Sequence, residues 1–287
     1  GDNNTALGMN ALGANTTADY NTAVGKNSLV ANTTGHNNVA VGNCMTANTT
    51  GQQNTAVGNS ALNANTTTSY NTAVGNSALT NNQAANNTAV GYLALEENTT
   101  GSSNVAVGMR ALQENTTASE NTGIGYKALE DNATGPQNVA IGYQALKANT
   151  TGGYNTVVGR NALDANTTGD LNVAVGHNAL TTNTTADDNT AIGAAALNNN
   201  TTGAQNTAVG RNAMAANTTG TQNSAVGRNA LDANTTGSYN ACSGANALTA
   251  NTTGSNNSAF GKSALGSNTT ANDNTAVGTY ALGTNST

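Results

Sequence analysis

A five-residue phrase, Asn-Thr-Ala-Val-Gly, returns along the whole chain and constrains the fold more than any other feature. Its opening Asn recurs seventeen times, at residues 4, 21, 38, 54, 71, 87, 104, 121, 138, 155, 172, 189, 206, 223, 240, 257 and 274. The intervals are 17 residues long, except for two of 16. A unit this short cannot bury a core alone and must stack on its neighbours. We therefore predict one repeat array over residues 1–287, without a separate domain.

We number each repeat from its Asn. Positions 1 and 12 are Asn and position 5 is Gly in all seventeen repeats. Position 4 is Val, Ile, Leu or Phe except at Ser243, and position 9 is Leu except at Met45 and Met214. Position 3 is nearly always Ala, while position 2 is Thr, Val, Ser or Ala. The variable positions are 6, 7, 10, 11, 16 and 17.

Positions 2 to 4 predict a short β-strand, because β-branched side chains at 2 and 4 alternate with a small one at 3. Gly at position 5 ends the strand, since glycine tolerates a positive φ or a close backbone approach at a corner. The predicted fold class is all-β, an elongated β-solenoid (β-roll) of seventeen 17-residue coils. We expect the apolar side chains at positions 4 and 9 to point inward. We expect Asn at positions 1 and 12 to stack from coil to coil, each amide donating to one neighbour and accepting from the other.

Composition alone would suggest disorder. Leu, Ile, Val and Phe number 39 of 287 residues, below the level of about one fifth at which disorder becomes a concern. The net charge is only −6, however, and the apolar residues recur at fixed positions. A solvated random chain has no reason to keep that register, so the periodicity outweighs the composition.

Charged and aromatic residues fall at few positions, which we interpret as exposed corners. Seven of the eight basic residues lie at positions 6 or 7, and all fourteen acidic residues lie at positions 10, 11, 16 or 17. The eight tyrosines lie at positions 6, 7 or 17, and we predict that they point outward. Eight basic against fourteen acidic residues give no electrostatic footprint for nucleic acid, so we predict no such partner.

Two repeats are one residue short. One lacks a residue between Gly42 and Asn48, and the other between Asn82 and Asn87. Both gaps lie outside the predicted strand. Turns absorb changes in length more readily than stacked strands do, which agrees with a solenoid.

Residues with catalytic potential are few and scattered. Cys44 and Cys242 stand twelve repeats apart and take the place of small residues, so we predict that they do not pair. His36 and His177 lie at variable positions far from each other. No run of about 18 apolar residues could span a bilayer. We predict no enzyme, no catalytic residue, no cofactor and no membrane span.

One local group of acids lies at positions 10 and 11 of three successive repeats: Glu96, Glu97, Glu114, Glu130 and Asp131. Stacked coils would bring these side chains to one corner, and we interpret them as a solvated acidic rim. Solenoids that bind calcium place Asp at a fixed position of every coil, whereas the acids of this chain occupy four positions. We therefore predict no specific metal site.

The Asn at position 12 is followed two residues later by Thr in sixteen of the seventeen repeats, Asn82 being the exception. This is the acceptor pattern for N-linked glycans. Asn and Thr also suit turns and ladders, which is the competing explanation. Asn at position 1 never forms the pattern, and position 13 varies where position 14 stays Thr outside the repeat of Asn82. We predict covalent glycans along one edge, on Asn15, Asn32, Asn48, Asn65, Asn98, Asn115, Asn132, Asn149, Asn166, Asn183, Asn200, Asn217, Asn234, Asn251, Asn268 and Asn285.

The repeat Asn-Thr-Ala-Val-Gly-x-x-Ala-Leu-x-x-Asn-Thr-Thr-Gly resembles the repeats of phage tail-fibre-like proteins and related bacterial surface proteins over the whole chain. A weaker similarity, through Asn-x-x-Val-Gly, links it to the β-roll heads of trimeric autotransporter adhesins. The resemblance implies an extracellular or cell-surface location, or a virion fibre. It also implies self-association, often as a homotrimer, and contact with a cell surface.

We predict a structural extracellular fibre or adhesion shaft, glycosylated and continuing end to end beyond residues 1–287. The chain holds a whole number of repeats, and Asn285-Ser286-Thr287 would continue in register into Gly1. The alternative is an ice-binding β-roll of the kind that some plants make, in which outward Thr and Asn form a regular array. A face free of bulky or charged groups would favour that alternative.

Overall fold

The computed structural model describes residues 1–286, so Thr287, which we predicted to continue in register into Gly1, lies outside the described residues. The chain divides into two compact units, Gly1–Asn138 and Val139–Thr287. We call them unit 1 and unit 2 and describe each by itself. A single array over residues 1–287 stays a prediction.

Every repeat contributes one strand of three residues, and the described residues contain seventeen strands and no helix. Unit 1 holds β1 Thr5–Leu7, β2 Thr22–Val24, β3 Val39–Val41, β4 Thr55–Val57, β5 Thr72–Val74, β6 Thr88–Val90, β7 Val105–Val107 and β8 Thr122–Ile124. Unit 2 holds β9 Val139–Ile141, β10 Thr156–Val158, β11 Val173–Val175, β12 Thr190–Ile192, β13 Thr207–Val209, β14 Ser224–Val226, β15 Ala241–Ser243, β16 Ser258–Phe260 and β17 Thr275–Val277.

Within each unit the strands form a parallel ladder in which consecutive repeats pair in register. Position 2 lies beside position 2, position 3 beside 3 and position 4 beside 4, as in the pair β13 and β14. The rest of each coil runs through turns before the next strand begins. The predicted all-β fold, a β-solenoid with about 17 residues per coil, is confirmed.

The side of the strand that faces the interior is the opposite of the one we predicted. Position 3 is buried from Ala23 to Ala276, while position 4 is half-buried or exposed in every strand. Val226, for example, is 42% exposed. The prediction that Val at position 4 points inward is therefore wrong. Positions 3 and 4 point to opposite sides of the strand, and the interior side is filled by position 3 (Ala in most coils, Val157 in one), by small residues at position 8, by the position 9 side chain and by two Asn.

The side chain at position 9 does point inward, as predicted. It is fully buried in every repeat from Leu29 to Leu265, including Met45 and Met214. All eight tyrosines are exposed, from Tyr126 at 37% to Tyr280 at 62%. The predicted faces are therefore confirmed for position 9 and for the tyrosines.

Each coil turns at residues with a left-handed backbone. In one coil of unit 2 these are Asn229, Leu231 and Tyr239, with φ of 54°, 55° and 60°. A non-glycine residue in this conformation costs roughly 1–2 kcal/mol, so stacking on the adjacent coils must stabilise it. Gly at position 5 has φ between 117° and 146°, and a Cβ on Gly210 would lie 2.5 Å from the carbonyl oxygen of Gly227. Position 5 therefore requires glycine.

The two short repeats lose their residue in a turn, as predicted. In the third repeat Asn43 is followed at once by the buried Cys44, so the left-handed residue of position 7 is missing. In the fifth repeat the side chain of Asn82 donates to the carbonyl of Ala84, two residues on, where other repeats reach three residues on. The strands of both repeats keep their register.

Substitution of Gly210 by Ala is expected to destabilise the protein by about 2 kcal/mol or more, because the left-handed φ and the contact with Gly227 both oppose a Cβ. Gly266→Ala serves as the matched control. Gly266 lies at position 10, where other coils carry Asp232 or Thr249, and we expect a change within about 0.5 kcal/mol. Thermal and urea unfolding followed by circular dichroism measure both. Equal effects of the two substitutions would contradict the assignment of position 5.

Candidate functional surfaces

The Asn side chains at position 12 form a buried amide ladder. In unit 2, Nδ2 of Asn166 donates to Oδ1 of Asn149 at 2.9 Å and to the carbonyl of Gly169 at 3.0 Å. Oδ1 of Asn166 accepts from Nδ2 of Asn183 at 3.0 Å. The same pattern recurs in unit 1, where Asn115 bonds to Asn98 at 2.8 Å. The predicted ladder at position 12 is confirmed, and an interior amide such as that of Asn166 uses both hydrogens and its oxygen.

This ladder contradicts the predicted row of glycans. An N-linked glycan would replace one Nδ2 hydrogen and need a path to solvent, whereas these amides are fully buried and both hydrogens are bonded. In Asn15 and Asn285, which are half-buried, Nδ2 also donates within the chain. The acceptor pattern here is turn and ladder chemistry. The fully buried predicted acceptors are Asn32, Asn48, Asn65, Asn98, Asn115, Asn132, Asn149, Asn166, Asn183, Asn200, Asn217, Asn234, Asn251 and Asn268.

The Asn side chains at position 1 form a second ladder of another kind. Oδ1 of Asn189 accepts from the backbone N–H of Asn206 at 3.0 Å, and Nδ2 of Asn206 donates to the carbonyl of Gly220 at 2.8 Å. Such a side chain joins the start of one strand to the next coil and to the last turn of its own coil, whereas Nδ2 of Asn121 is buried without a hydrogen-bond partner among the described residues. The predicted stacking is confirmed here too, although the donor to the neighbouring Oδ1 is a backbone N–H.

A third ladder, at position 16, escaped the sequence analysis. The backbone N–H at this position donates to the side chain at position 16 of the following coil, as from Asp170 to Oδ1 of Asp187 at 2.8 Å and from Ser238 to Oγ of Ser255 at 3.1 Å. His36 plays the same part, because its Nδ1 accepts from the N–H of Asp19 at 2.9 Å. The available signal was that most residues at position 16 carry a hydrogen-bond acceptor.

The acidic rim is engaged by neighbouring side chains. Nη1 of Arg110 lies 3.3 Å and Nζ of Lys127 lies 3.0 Å from Oε1 of Glu130, whose side chain is only 6% exposed. Glu96 accepts from Gln113 at 2.9 Å. The backbone N–H of Glu114 donates to the carbonyl of Glu130, so the two repeats do stack at this corner. These contacts hold the carboxylates of Glu96 and Glu130 in structural hydrogen bonds and ion pairs, while the side chain of Glu114 is exposed.

Other chemically active groups are dispersed. Residues 1–286 bring no three His, Cys, Asp or Glu side chains together as a metal-binding group. Both cysteines are free and buried, and burial raises the pKa of Cys44 from 9.0 to about 11 and that of Cys242 to about 12. Such thiols are poor nucleophiles at neutral pH. No helix long and apolar enough to cross a membrane occurs in the described part of the chain.

The outward side of the strands forms the most regular surface of each unit. We call it the strand face, defined by positions 2 and 4 of β1–β8 in unit 1 and of β9–β17 in unit 2. Position 4 presents Val, Ile, Leu, Phe or Ser, and position 2 presents Thr, Val, Ser or Ala, so neither position carries a charge in any strand. Ile192, Val226 and Phe260 are 40%, 42% and 45% exposed. Adjacent strands repeat this pattern about every 4.8 Å.

Threonine hydroxyls on the strand face make no hydrogen bonds within the described residues, unlike those at position 13. In residues 1–286 the hydroxyls of Thr190 and Thr207, at position 2, make no hydrogen bond to the chain. At position 13, in contrast, Oγ1 of Thr218 donates to the carbonyl of Thr235 at 3.0 Å. The strand face thus offers free hydroxyls beside exposed methyl groups.

Comparisons of the chain with protein-family profiles, with curated proteins and with solved structures gave no match.

Truncation of Asn115 to Ala is expected to cost about 2 kcal/mol, because Oδ1 of Asn98, Nδ2 of Asn132 and the carbonyl of Ala118 each lose a buried partner. Asn43→Ala, at an exposed corner, is the control and should change the stability by less than about 0.5 kcal/mol. Urea denaturation of the two variants and the unsubstituted chain gives the comparison. A cost for Asn115→Ala no larger than for Asn43→Ala would contradict the ladder.

The buried thiols predict a loss of stability at alkaline pH. Above pH 9 the unfolded chain releases its thiol protons while the folded chain keeps them, so stability falls as pH rises from 9 towards 11 and 12. For two thiols this amounts to about 2 kcal/mol between pH 9 and pH 10. The double variant Cys44→Ala, Cys242→Ala is the control, because its Tyr and Lys residues still titrate at alkaline pH. It should lack the loss of stability that comes from the two thiols. Parallel stability curves of the two proteins over that window would show the prediction to be wrong.

Proposed function

We propose that this chain is a structural, non-catalytic shaft whose strand faces associate with those of further copies to form a fibre. The observation that carries the proposal is the charge-free strand face, on which exposed β-branched residues repeat in register within each unit. Unpaired apolar faces of this kind mark interaction surfaces. The strand faces of two copies of the chain can be complementary, since both present rows of residues with the same spacing between strands.

The size of the strand face sets the strength of this association. Three residues of about 3.3 Å and a strand spacing of about 4.8 Å give roughly 50 Å² per strand, so one unit presents on the order of 400 Å². Standard interfaces bury about 800 Å² on each partner. Association through the strand face of one unit would therefore be weak. We expect assembly to depend on protein concentration.

The resemblance to phage tail-fibre-like proteins and bacterial surface proteins supports an extracellular, cell-surface or virion location for such a shaft, and a homotrimer as its assembly. The buried position 12 amides remove glycans from this proposal. The contacts of Glu96 and Glu130 support a non-catalytic role, because they occupy two of the carboxylates that a hydrolase would need free.

Lysines placed on the strand face test the proposal. In Ile192→Lys, Val226→Lys, two charges interrupt an uncharged face and should abolish association, since like charges would then meet in the interface. The matched control is Ala194→Lys, Ala245→Lys, which adds the same two side chains at position 6 of unit 2, where other coils carry Lys or Arg. Multi-angle light scattering over a range of concentrations gives the mass of each protein.

We expect the unsubstituted chain and the control to form oligomers and the strand-face variant to stay monomeric. Circular dichroism would verify that all three proteins keep the same fold. A monomeric unsubstituted chain at every concentration would overturn the proposal, as would an oligomer that the strand-face lysines leave unchanged.

Ice binding is a second candidate, favoured by the free threonine hydroxyls beside exposed methyl groups on an uncharged face. A regular array of hydroxyl and methyl groups can order the water next to it. The same proteins separate the two candidates when their thermal hysteresis is measured. A monomer with hysteresis that is lost in Ile192→Lys, Val226→Lys and kept in the control would favour ice binding over the shaft. Absence of hysteresis would remove this candidate.

A further inference from the structure

We propose that unit 2 carries a binding site for a linear acidic polysaccharide along one corner of its coils. The site is the basic row, defined by four cations at position 6: Arg160, Arg211, Arg228 and Lys262. It lies at a different corner of the coil from positions 2 and 4 and does not depend on association through the strand face.

The backbone holds these side chains in register. The carbonyl of each accepts a hydrogen bond from the position 7 N–H of the following coil, at 3.0 Å for Arg160 and Arg211 and at 2.9 Å for Arg228 and Lys262. Coils about 4.8 Å apart put Arg211 next to Arg228, Arg160 roughly 14 Å before them and Lys262 roughly 10 Å beyond. The basic row therefore extends over roughly 29 Å in one direction, which suits an extended polymer.

The cations of the basic row are exposed and unpaired. All four side chains are exposed, and none has a carboxylate within ion-pair distance in residues 1–286. No acidic residue occupies position 6 or 7 in any repeat, and the acidic residues of unit 2 lie at positions 10, 16 and 17. Position 6 of unit 2 therefore carries cations but no carboxylate, although the chain as a whole has a net charge of −6.

Polar and aromatic groups accompany the cations. The guanidinium of Arg160 lies 5.5 Å from the ring centroid of Tyr143, and Nζ of Lys262 lies 5.7 Å from that of Tyr280. Both rings are exposed, at 44% and 62%. The half-buried amides of Asn212 and Asn229, at position 7, run beside Arg211 and Arg228 and bond from coil to coil. Aromatic faces and amides that flank guanidinium groups match a ligand with apolar ring faces, hydroxyls and carboxylates.

The charge spacing favours a polysaccharide with one carboxylate per sugar over nucleic acid. Duplex DNA carries a charge about every 1.7 Å, and four cations spread over several coils would neutralise few of those phosphates. A uronic acid polymer carries its charges a sugar apart, so a larger share of them can meet an arginine. Arginine, which supplies three of the four cations, also binds carboxylates through two parallel hydrogen bonds.

Binding of the full chain to immobilised alginate, without divalent cations, tests the proposal. We expect binding that weakens steeply as sodium chloride is added, with no competition from dextran, which is neutral. Arg211→Gln, Arg228→Gln should weaken binding by about tenfold or more, since two charge-assisted contacts are lost. Lys26→Gln, Lys147→Gln removes the same charge outside the basic row, from position 6 of unit 1 and position 10 of unit 2, and should bind within about twofold of the unsubstituted chain.

Four results would overturn the proposal. The unsubstituted chain does not bind alginate, or the two arginine substitutions leave binding unchanged, or the control variant loses as much affinity, which would show a general charge effect. The fourth is that single-stranded DNA displaces alginate at equal charge concentration, which would make the basic row a nucleic-acid surface. Circular dichroism of each variant would verify its fold.

Discussion

The structure depends on buried Asn amides that form hydrogen bonds within their own coil and to the adjacent coils. An Asn side chain at position 12 lies in the interior of the coil, where an unbonded donor or acceptor would cost about 1–3 kcal/mol. Its two hydrogens and its oxygen are taken by the coil before, by its own turn and by the coil after, as Asn217 illustrates. No coil can satisfy these groups alone. Stacking in one register is therefore a condition for each coil to fold.

A narrow interior follows from this constraint. Besides the two Asn, the interior takes mostly small residues at positions 3, 8 and 15 and one long side chain at position 9. Branched residues at positions 2 and 4 are consequently left on the outside, and charged residues fall at the corners. The two surfaces to which we assign binding, the strand face and the basic row, are products of the same packing limit. The repeat therefore arranges the side chains of the strand face and of the basic row in lines, since each position recurs at the same corner in successive coils.

Much of the fold followed from the sequence, because recurrence at 17 residues fixed the coil and alternation at positions 2 to 4 fixed the strand. The facing of position 4 was missed because apolar character was taken as a sign of burial. Size was the better signal: position 4 accepts both Ser243 and Phe260, whereas position 3 rarely exceeds Ala. The glycan prediction failed because a ladder of Asn followed by Thr has the same pattern as an acceptor site. The left-handed backbone of Leu at position 9 and the position 16 ladder depend on contacts between stacked coils. Local sequence preferences do not predict such contacts.

Side-chain amide exchange tests the buried ladder most directly. With 15N introduced selectively at Asn, NMR would detect the side-chain amides of position 12 together with exposed ones such as those of Asn43 and Asn199. Hydrogen–deuterium exchange would then be measured for both groups. We expect the position 12 Nδ2 hydrogens to exchange as slowly as the strand backbone amides, because both kinds of hydrogen bond open only when coils separate. Rapid exchange of these Nδ2 hydrogens while the strand amides stay protected would contradict this expectation.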